Sequence, residues 1–189
     1  MSEGNYTLRF DGLFRGFPTL GGASHKAGVM CYGWIIFRNG VVVAKGHGGY
    51  ACGNDATSIG AEYLALIEGL EALRDLGVRQ EWVSIAGDAK SIIEQMQGLA
   101  SVNSNSIKPL FRRARRLSRS FRNLNYRWAP RKENKLADLL TRKAMRQIRQ
   151  DRPNYEATLL AIKSSESQDG YPDRFLPLLD LRVYQPVGL

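Results

Sequence analysis

The sequence predicts an α/β fold built on a five-stranded mixed sheet with helices on its faces. Apolar segments with β-strand alternation come first, and Asn39-Gly40 between two of them is a strong signal for a two-residue hairpin turn. Beyond residue 57, helical patterns alternate with short apolar segments. The resulting order β-β-β-α-β-α-α-β-α predicts three antiparallel strands extended by two parallel strands through helical crossovers.

Short apolar runs between turn signals mark the five strands. In the first, Tyr6, Leu8 and Phe10 alternate with polar residues, and we expect the strand to close at Asp11. Residues 13–28 contain four glycines and Pro18, which predicts a loop. The predicted strands are residues 6–11, 29–37, 41–50, 82–86 and 125–128.

Four helices are predicted between and after these strands. Thr57 or Ser58 can cap the first helix, and Gly77 can end it. The third helix combines an apolar stripe with an arginine-rich face, and Asn134 can cap the fourth. The predicted helices end near residues 76, 98, 121 and 150.

We expect the chain to divide into a main domain, residues 1–150, and a C-terminal extension, residues 151–189. The extension has a helical pattern at 155–163, a polar linker at 164–170 and an apolar segment at 175–184. The apolar segment is expected to dock on the core or on another subunit. Homodimerisation through the extension is therefore a hypothesis.

The composition is typical of a soluble globular protein, with 43% hydrophobic and 24% charged residues in a chain of 189. No apolar run approaches the roughly 20 residues that a membrane span needs, and the polar start of the chain does not resemble a secretory signal. The two cysteines, Cys31 and Cys52, do not form a CxxC pair. We therefore expect two reduced core thiols in a cytoplasmic protein.

Positive charge is concentrated in one segment. Residues 108–149 contain 15 of the 27 Lys and Arg residues but only two of the 18 acids, Glu133 and Asp138. The segment has a net charge of +13, and the rest of the chain has a net charge of −4. This distribution predicts a polyanionic partner, with nucleic acid as the first candidate and an anionic membrane surface as the second.

Four acidic residues stand where a carboxylate needs compensation: Asp11, Glu62, Asp88 and Asp138. Each has an ordinary explanation when taken alone. Asp11 can be a turn residue, and Asp88 can cap a helix. Glu62 gains from the helix dipole, and Asp138 can pair with Arg142 four residues later. Two acids at strand ends and two in first helical turns can nevertheless converge at one edge of the sheet.

Carboxylates gathered in this way would repel one another and need a divalent cation to stay ionised together. Mg²⁺ takes oxygen ligands and retains several waters. Two such ions about 4 Å apart can activate a water and stabilise the leaving oxygen of an in-line displacement. In a strongly basic protein, this pattern predicts phosphodiester hydrolysis without a serine nucleophile or a histidine base.

Four segments that contain these acids occur in the order seen in a known family. They are Leu8-Arg-Phe-Asp11-Gly12, Ala56-Thr-Ser-Ile-Gly-Ala-Glu62-Tyr-Leu-Ala-Leu-Ile-Glu-Gly-Leu70, Ile85-Ala-Gly-Asp88-Ala-Lys-Ser-Ile-Ile-Glu-Gln and Pro130-Arg-Lys-Glu-Asn134-Lys-Leu-Ala-Asp138. The chain resembles the type 1 ribonuclease H proteins, in particular their reverse-transcriptase-like branch, over residues 6 to about 148. The resemblance implies a ribonuclease H-like fold, with residues 1–150 as the catalytic domain.

The resemblance also implies that Asp11, Glu62, Asp88 and Asp138 are the catalytic, metal-binding residues, with Mg²⁺ as cofactor and Mn²⁺ as its substitute. The implied reaction is endonucleolytic hydrolysis of the RNA strand of RNA/DNA hybrids, which leaves 5′-phosphate and 3′-hydroxyl ends. Three segments depart from the family pattern. Thr57-Ser58-Ile59 replaces Thr-Asn-Asn, Phe17-Pro18-Thr19 replaces Asn-Pro-Gly, and Arg131-Lys132-Glu133-Asn134 replaces a glycine- and histidine-rich loop.

Nucleic-acid contacts are expected from the arginine-rich helix and from residues beside the acids. The arginines can form an ordinary solvated face, but six of them lie between Arg112 and Arg122 with no acid among them. The predicted contact residues are Gly12, Ser58, Arg112, Arg113, Arg116, Arg119, Arg131 and Lys132. Tyr126 and Trp128 are expected in the core rather than against bases.

Two rival functions stay open. A non-catalytic or weakly active hybrid-binding protein would keep the fold, although it has no need of all four acids. A DNA nuclease of the same fold, such as a junction resolvase or a 3′ exonuclease, is disfavoured by the segments around Glu62 and Asp88.

Overall fold

The structure, a computed structural model, describes residues 5–16, 27–52, 56–166 and 175–185. It confirms an α/β architecture with a mixed sheet, although the sheet formed by these residues has six strands rather than five. The strands are β1 (Asn5–Gly16), β2 (Gly28–Arg38), β3 (Val41–Cys52), β4 (Trp82–Gly87), β5 (Asn123–Trp128) and β6 (Leu176–Tyr184). The helices are α1 (Ser58–Asp75), α2 (Lys90–Gln97), α3 (Lys108–Ser118), α4 (Lys135–Gln150) and α5 (Arg152–Glu166).

The strand order is β5-β4-β1-β2-β3-β6. As predicted, β1, β2 and β3 are antiparallel, and β4 and β5 extend the sheet in parallel. The hairpin between β2 and β3 turns at Asn39 and Gly40, with φ of 51° and 82°. Both residues are in the left-handed region that a two-residue hairpin turn requires, so this local signal determined the turn.

Strand β1 is longer than predicted, and Asp11 does not close it. The strand continues to Gly16, which pairs with Gly28 in β2. Its parallel pairing with β4 ends earlier, at Arg9 and Ala86. Residues 13–16 are therefore strand rather than loop, because they pair with residues 28–31 of β2. Residues 17–26 of the predicted loop lie outside the described residues.

The C-terminal extension contributes the sixth strand. Strand β6 pairs antiparallel with β3, so the apolar segment docks on the core of its own chain, and nothing supports homodimerisation through it. Arg182 of β6 forms an ion pair of 2.7 Å with Glu68 of α1, which is only 2% exposed. The predicted helix at 155–163 is part of the longer α5, which also takes up the start of the predicted linker. The boundary near residue 150 stays a prediction.

The helices pack on opposite faces of the sheet. Met30, Tyr32 and Trp34 of β2 belong to the large core beneath α1, α2 and α3. The alternating residues Val29 and Cys31 pack instead against α4. Cys31 and Cys52 are both buried, as predicted. Within the part of the chain that the structure describes, no helix is both long enough and apolar enough to cross a bilayer.

Candidate active site

Three of the four predicted acids meet at the edge of the sheet where β4 ends. Asp11 lies in β1 two residues beyond its last pairing with β4, and Asp88 directly follows β4. Glu62 projects from α1, as the fifth residue of the helix rather than in its first turn. Carboxylate oxygens of the three residues lie within 4.8 Å of one another. We call this group of three residues the acidic pocket.

A close approach between β1 and α1 brings Glu62 to Asp11. A Cβ atom on Gly12 would lie 2.3 Å from the backbone nitrogen of Glu62 and 2.4 Å from the carbonyl carbon of Ala61. Glycine is therefore the residue that lets the helix backbone reach the strand at this point. The structure assigns Gly12 a packing function, and its contact with nucleic acid stays a prediction.

Burial and mutual repulsion make the acidic pocket unfavourable for negative charge. Burial raises the pKa of Asp11 to about 6, and the charges of Asp88 and Asp138 add to the shift against the opposing effects of Thr141 and Arg131. Burial also raises the pKa of Glu62 well above its usual range, with Asp11 and Asp88 contributing. Among the described residues, Glu62 Oε2 is buried without a hydrogen-bond partner. Clustered carboxylates with an unpartnered oxygen fit an oxygen-preferring divalent cation.

Asn134 holds Asp88 in place, and the sequence did not reveal this function. The Asn134 side chain is 1% exposed, and its Nδ2 donates to Asp88 Oδ1 at 2.8 Å and to the Phe10 carbonyl at 2.7 Å. It occupies the predicted cap position of α4 but makes no side-chain capping bond. Asp88 is not a cap either, because α2 begins after Ala89. The sequence signal that could have identified Asn134 was its position in the fourth acid-containing segment, four residues before Asp138.

Asp138 lies close to the acidic pocket but is already paired. Its Oδ2 accepts from Arg142 Nε at 2.7 Å, and its Oδ1 accepts from Arg131 at 3.3 Å. The hydrogen bond from Arg142 lowers the pKa of Asp138. The pairing at four residues' separation, considered from the sequence as an alternative, is thus present. Metal binding by Asp138 stays a prediction.

The predicted nucleic-acid contacts lie on the exposed surface, apart from Gly12. Arg112, Arg116 and Arg119 are exposed, with no acidic group within 4 Å in the described chain, whereas Arg113 pairs with Glu71. Ser58 is exposed at the start of α1. Arg131 and Lys132 lie in an exposed 3₁₀ turn before α4 and line a surface cavity of about 480 Å³ with Lys135 and Asp138.

The prediction for Trp128 was wrong, whereas Tyr126 packs against the core as expected. The side chain of Trp128 is 50% exposed at the end of β5. Its Nε1 donates to the Asp88 carbonyl at 3.1 Å, so the ring is anchored beside the acidic pocket. Strand periodicity did not reveal this because β5 is an edge strand.

Comparisons with known proteins agree with this architecture. Residues 19–144 match a family described as "Reverse transcriptase-like". Ribonuclease HI of Halobacterium salinarum is 33% identical over 137 residues, which cover 72% of this chain and 62% of that protein. The crystal structure of its RNase H1 is similar with a TM-score of 0.64 and 30% identity, covering 76% of this chain and 99% of that one.

Two further proteins are similar to this chain. A bifunctional protein of Mycobacterium tuberculosis is 33% identical over 125 residues, which cover 66% of this chain and 34% of that protein. LC11-RNase H1, solved in complex with an RNA/DNA hybrid, is 25% identical with a TM-score of 0.63, covering 75% of this chain and 97% of that one. The matched region is therefore about a third of the mycobacterial protein and under two thirds of the halobacterial one.

The fold and the position of the acidic pocket define a protein of the ribonuclease H-like class. The chain belongs to the reverse-transcriptase-like branch of the type 1 ribonuclease H family. The family predicted from the four sequence segments is thereby confirmed.

The raised pKa of Asp11 predicts how the metal-free protein responds to pH. The pKa of Asp11 is about 6 in the folded state against an ordinary value of 3.8 for aspartate, so the folded protein binds more protons between these values. The free energy of unfolding should therefore fall as pH rises from about 4 to about 6, by up to about 3 kcal/mol from this residue. Glu62 contributes with the same sign.

Urea unfolding with a chelator at several pH values measures this effect. Asp11→Asn removes the titrating group, so the difference in stability between the wild type and the variant should grow across the same interval. A difference that does not change with pH would show that Asp11 titrates normally.

Proposed function

We propose that this protein is an endoribonuclease that hydrolyses the RNA strand of RNA/DNA hybrids with divalent metal ions in the acidic pocket. The observation that carries the proposal is the convergence of Asp11, Glu62 and Asp88 within 4.8 Å. Similarity to ribonuclease HI and to LC11-RNase H1, which was solved with an RNA/DNA hybrid, supports the choice of substrate.

Asp11, Glu62 and Asp88 would hold the metal, with Mg²⁺ as the proposed ion and Mn²⁺ as its substitute. When bound, the metal supplies charge stabilisation at the phosphate and activation of water. The protein contributes the position of the ligands. Asn134 fixes the Asp88 carboxylate through its 2.8 Å hydrogen bond, and the β1–α1 contact at Gly12 places Glu62 beside Asp11.

Substrate binding is proposed for exposed cations at α3 and in the 3₁₀ turn before α4. Arg112 and Arg116 of α3 and Arg119 directly after it have no acidic partner in the described residues and are suited to phosphate contacts, which set affinity and salt dependence rather than sequence preference. Arg131 and Lys132 are proposed to contact the strand nearest the acidic pocket. Recognition of RNA would depend on 2′-hydroxyl contacts in the minor groove of the hybrid.

One observation favours a second candidate, a weakly active or non-catalytic hybrid-binding protein. Both carboxylate oxygens of Asp138 already accept from Arg131 and Arg142. A metal that needs Asp138 has to compete with these arginines. Weak activity would follow if Asp138 stayed paired when substrate is bound.

The test is cleavage of labelled RNA/DNA hybrid, duplex RNA, duplex DNA and a DNA junction by the purified protein. With Mg²⁺ or Mn²⁺, we expect cutting of the hybrid RNA strand alone, giving 5′-phosphate ends, and we expect a chelator to stop it. Salt-sensitive hybrid binding without cutting would identify the second candidate. Preference for the junction or for duplex DNA would identify a DNA nuclease and contradict the proposal.

A further inference from the structure

Helix α4 carries a second basic surface, separate from α3. Four cations lie on it at spacings of seven, four and three residues: Lys135, Arg142, Arg146 and Arg149. At 3.6 residues per turn, these positions fall within about 60° of one another around the helix axis. All four are exposed. We call this line of residues the α4 ridge.

The α4 ridge lacks the acids that normally balance such a surface. Asp138 is the only acid in α4, and it pairs with Arg142. Lys135, Arg146 and Arg149 have no acidic group within 4 Å among the residues that the structure describes. A solvated helix face gains stability from alternating charges at four-residue spacing, and on this ridge only Arg142 has such a partner among the described residues. Its charge is therefore available for a polyanion.

The position of the ridge relates it to the acidic pocket. Lys135 lines the cavity of about 480 Å³ that also contains Asp138, Arg131 and Lys132. From there the ridge runs away from the pocket for about 21 Å to Arg149, at 1.5 Å per helical residue. This length corresponds to about six steps of a nucleic-acid strand at 3.4 Å per step.

The ridge and the α3 arginines lie on opposite sides of the sheet. Helix α4 packs through Ala144, Met145 and Ile148 against Val29 and Cys31. Helix α3 packs on the other face, in the core that contains Met30 and Tyr32. A nucleic-acid segment that contacts the α3 arginines is therefore on the other side of the sheet from the α4 ridge, and the ridge needs an explanation of its own.

The other residues of α4 indicate which kind of polyanion the ridge binds. A helix that lies on a membrane inserts a continuous apolar face into the lipid. The apolar face of α4 packs on the sheet through Ala144, Met145 and Ile148. Its exposed apolar residues, Leu136 and Leu139, lie in the first two turns and do not continue beside Arg146 and Arg149. A linear row of cations that starts beside a phosphodiester-cleaving pocket complements a phosphate backbone. We propose that the α4 ridge binds the nucleic-acid segment that continues beyond the hybrid held at the acidic pocket. This inference rests on the proposed function.

The test compares two charge-matched variants. The ridge variant carries Lys135→Gln, Arg146→Gln and Arg149→Gln, and keeps Arg142 because it pairs with Asp138. The control variant carries Lys45→Gln, Arg74→Gln and Arg79→Gln, which are exposed cations of β3, of α1 and of the segment after α1 rather than of α3 or α4. Circular dichroism and thermal unfolding verify that both variants fold.

Binding is measured by fluorescence anisotropy without divalent metal, over a series of salt concentrations. The two probes are a short hybrid and the same hybrid extended by duplex DNA. For the extended probe, the ridge variant should lose two to three phosphate contacts, which lowers the salt slope by about 0.9 for each contact. The control variant on the extended probe should show no such loss, and neither should the ridge variant on the short probe.

Equal behaviour of the two variants on the extended probe would overturn the inference. Loss of binding to phosphatidylglycerol vesicles by the ridge variant, with binding to the extended probe intact, would replace it with a membrane contact. Failure of the proposed function is distinguishable from these results. Wild-type protein that uses the ridge to bind the extended probe but cuts no hybrid refutes the nuclease alone, and wild-type protein that cuts hybrid but gains nothing from the extension refutes the ridge alone.

Discussion

Glu62→Gln is expected to abolish hybrid cleavage while making the metal-free protein more stable. The Glu62 carboxylate is close to Asp11 and Asp88, and its Oε2 has no hydrogen-bond partner among the described residues. Burial holds its pKa well above the usual range, so its charge opposes folding at neutral pH. Glutamine keeps the shape of the side chain and removes that charge. The free energy of unfolding should therefore rise.

Cleavage should change in the opposite direction. A bound metal contributes several kcal/mol to the transition state, and 1.36 kcal/mol corresponds to a tenfold change in rate. Loss of one ligand is therefore expected to lower the single-turnover rate by about 10³-fold. Single-turnover cleavage with Mg²⁺ and urea unfolding with a chelator measure the two effects. Retained cleavage by Glu62→Gln would show that the acidic pocket is not the metal site.

Glu68→Gln is the matched control on the same helix. Glu68 is also buried, but it forms a 2.7 Å ion pair with Arg182 and accepts from Tyr50 at 2.7 Å. Glutamine breaks the ion pair but leaves Arg182 with Asp75 and Asp180 as partners, so this variant should lose no more than about 1 kcal/mol of stability. Its cleavage rate per folded molecule should be unchanged. Glu62→Gln should thus gain stability and lose cleavage, whereas Glu68→Gln should gain no stability and keep cleavage.

Gly12→Ala is expected to damage both stability and cleavage. The new Cβ would lie 2.3 Å from the Glu62 nitrogen and 2.4 Å from the Ala61 carbonyl carbon. Backbone atoms cannot rotate away as a side chain can, so α1 has to shift from β1. Overpacking of this kind should lower the free energy of unfolding by about 3 kcal/mol. Because the shift displaces Glu62, a movement of about 1 Å should lower the cleavage rate about 100-fold.

Gly16→Ala provides the control for Gly12→Ala in the same strand. The nearest heavy atom to a Cβ on Gly16 would be 3.7 Å away, an ordinary van der Waals distance. This variant should keep both stability and activity in urea unfolding and single-turnover cleavage. Intact stability of Gly12→Ala with weakened hybrid binding would favour the nucleic-acid contact predicted for Gly12 over the packing function.

Local signals in the sequence predicted most of the elements. Asn39-Gly40 specified the β2–β3 turn because both residues tolerate positive φ. Thr57 begins α1 by accepting a hydrogen bond from the Gly60 nitrogen at 2.9 Å. These interactions span two to four residues, so the amino acids involved are sufficient to predict them. The four acid-containing segments likewise predicted the family.

The pairing of strands that are far apart in the sequence could not be predicted from such local signals. Strand β6 pairs with β3 across more than 120 residues, and its place beside β3 depends on a free sheet edge and on the Arg182–Glu68 ion pair. The extension of β1 beyond Asp11 depends on β2 in the same way. Neither partner can be identified from periodicity, because an apolar strand is compatible with several neighbours.

The sequence by itself determined the fold class, most of the elements and the acids near the sheet edge, because turn chemistry, helix capping and hydrophobic periodicity act within a few residues. Only the tertiary structure decided which acids share a pocket. It grouped Asp11, Glu62 and Asp88, paired Asp138 with two arginines, and placed Asn134 against Asp88. The physical reason is that burial, repulsion and hydrogen bonding of these side chains depend on distances of a few ångströms between segments far apart in the chain.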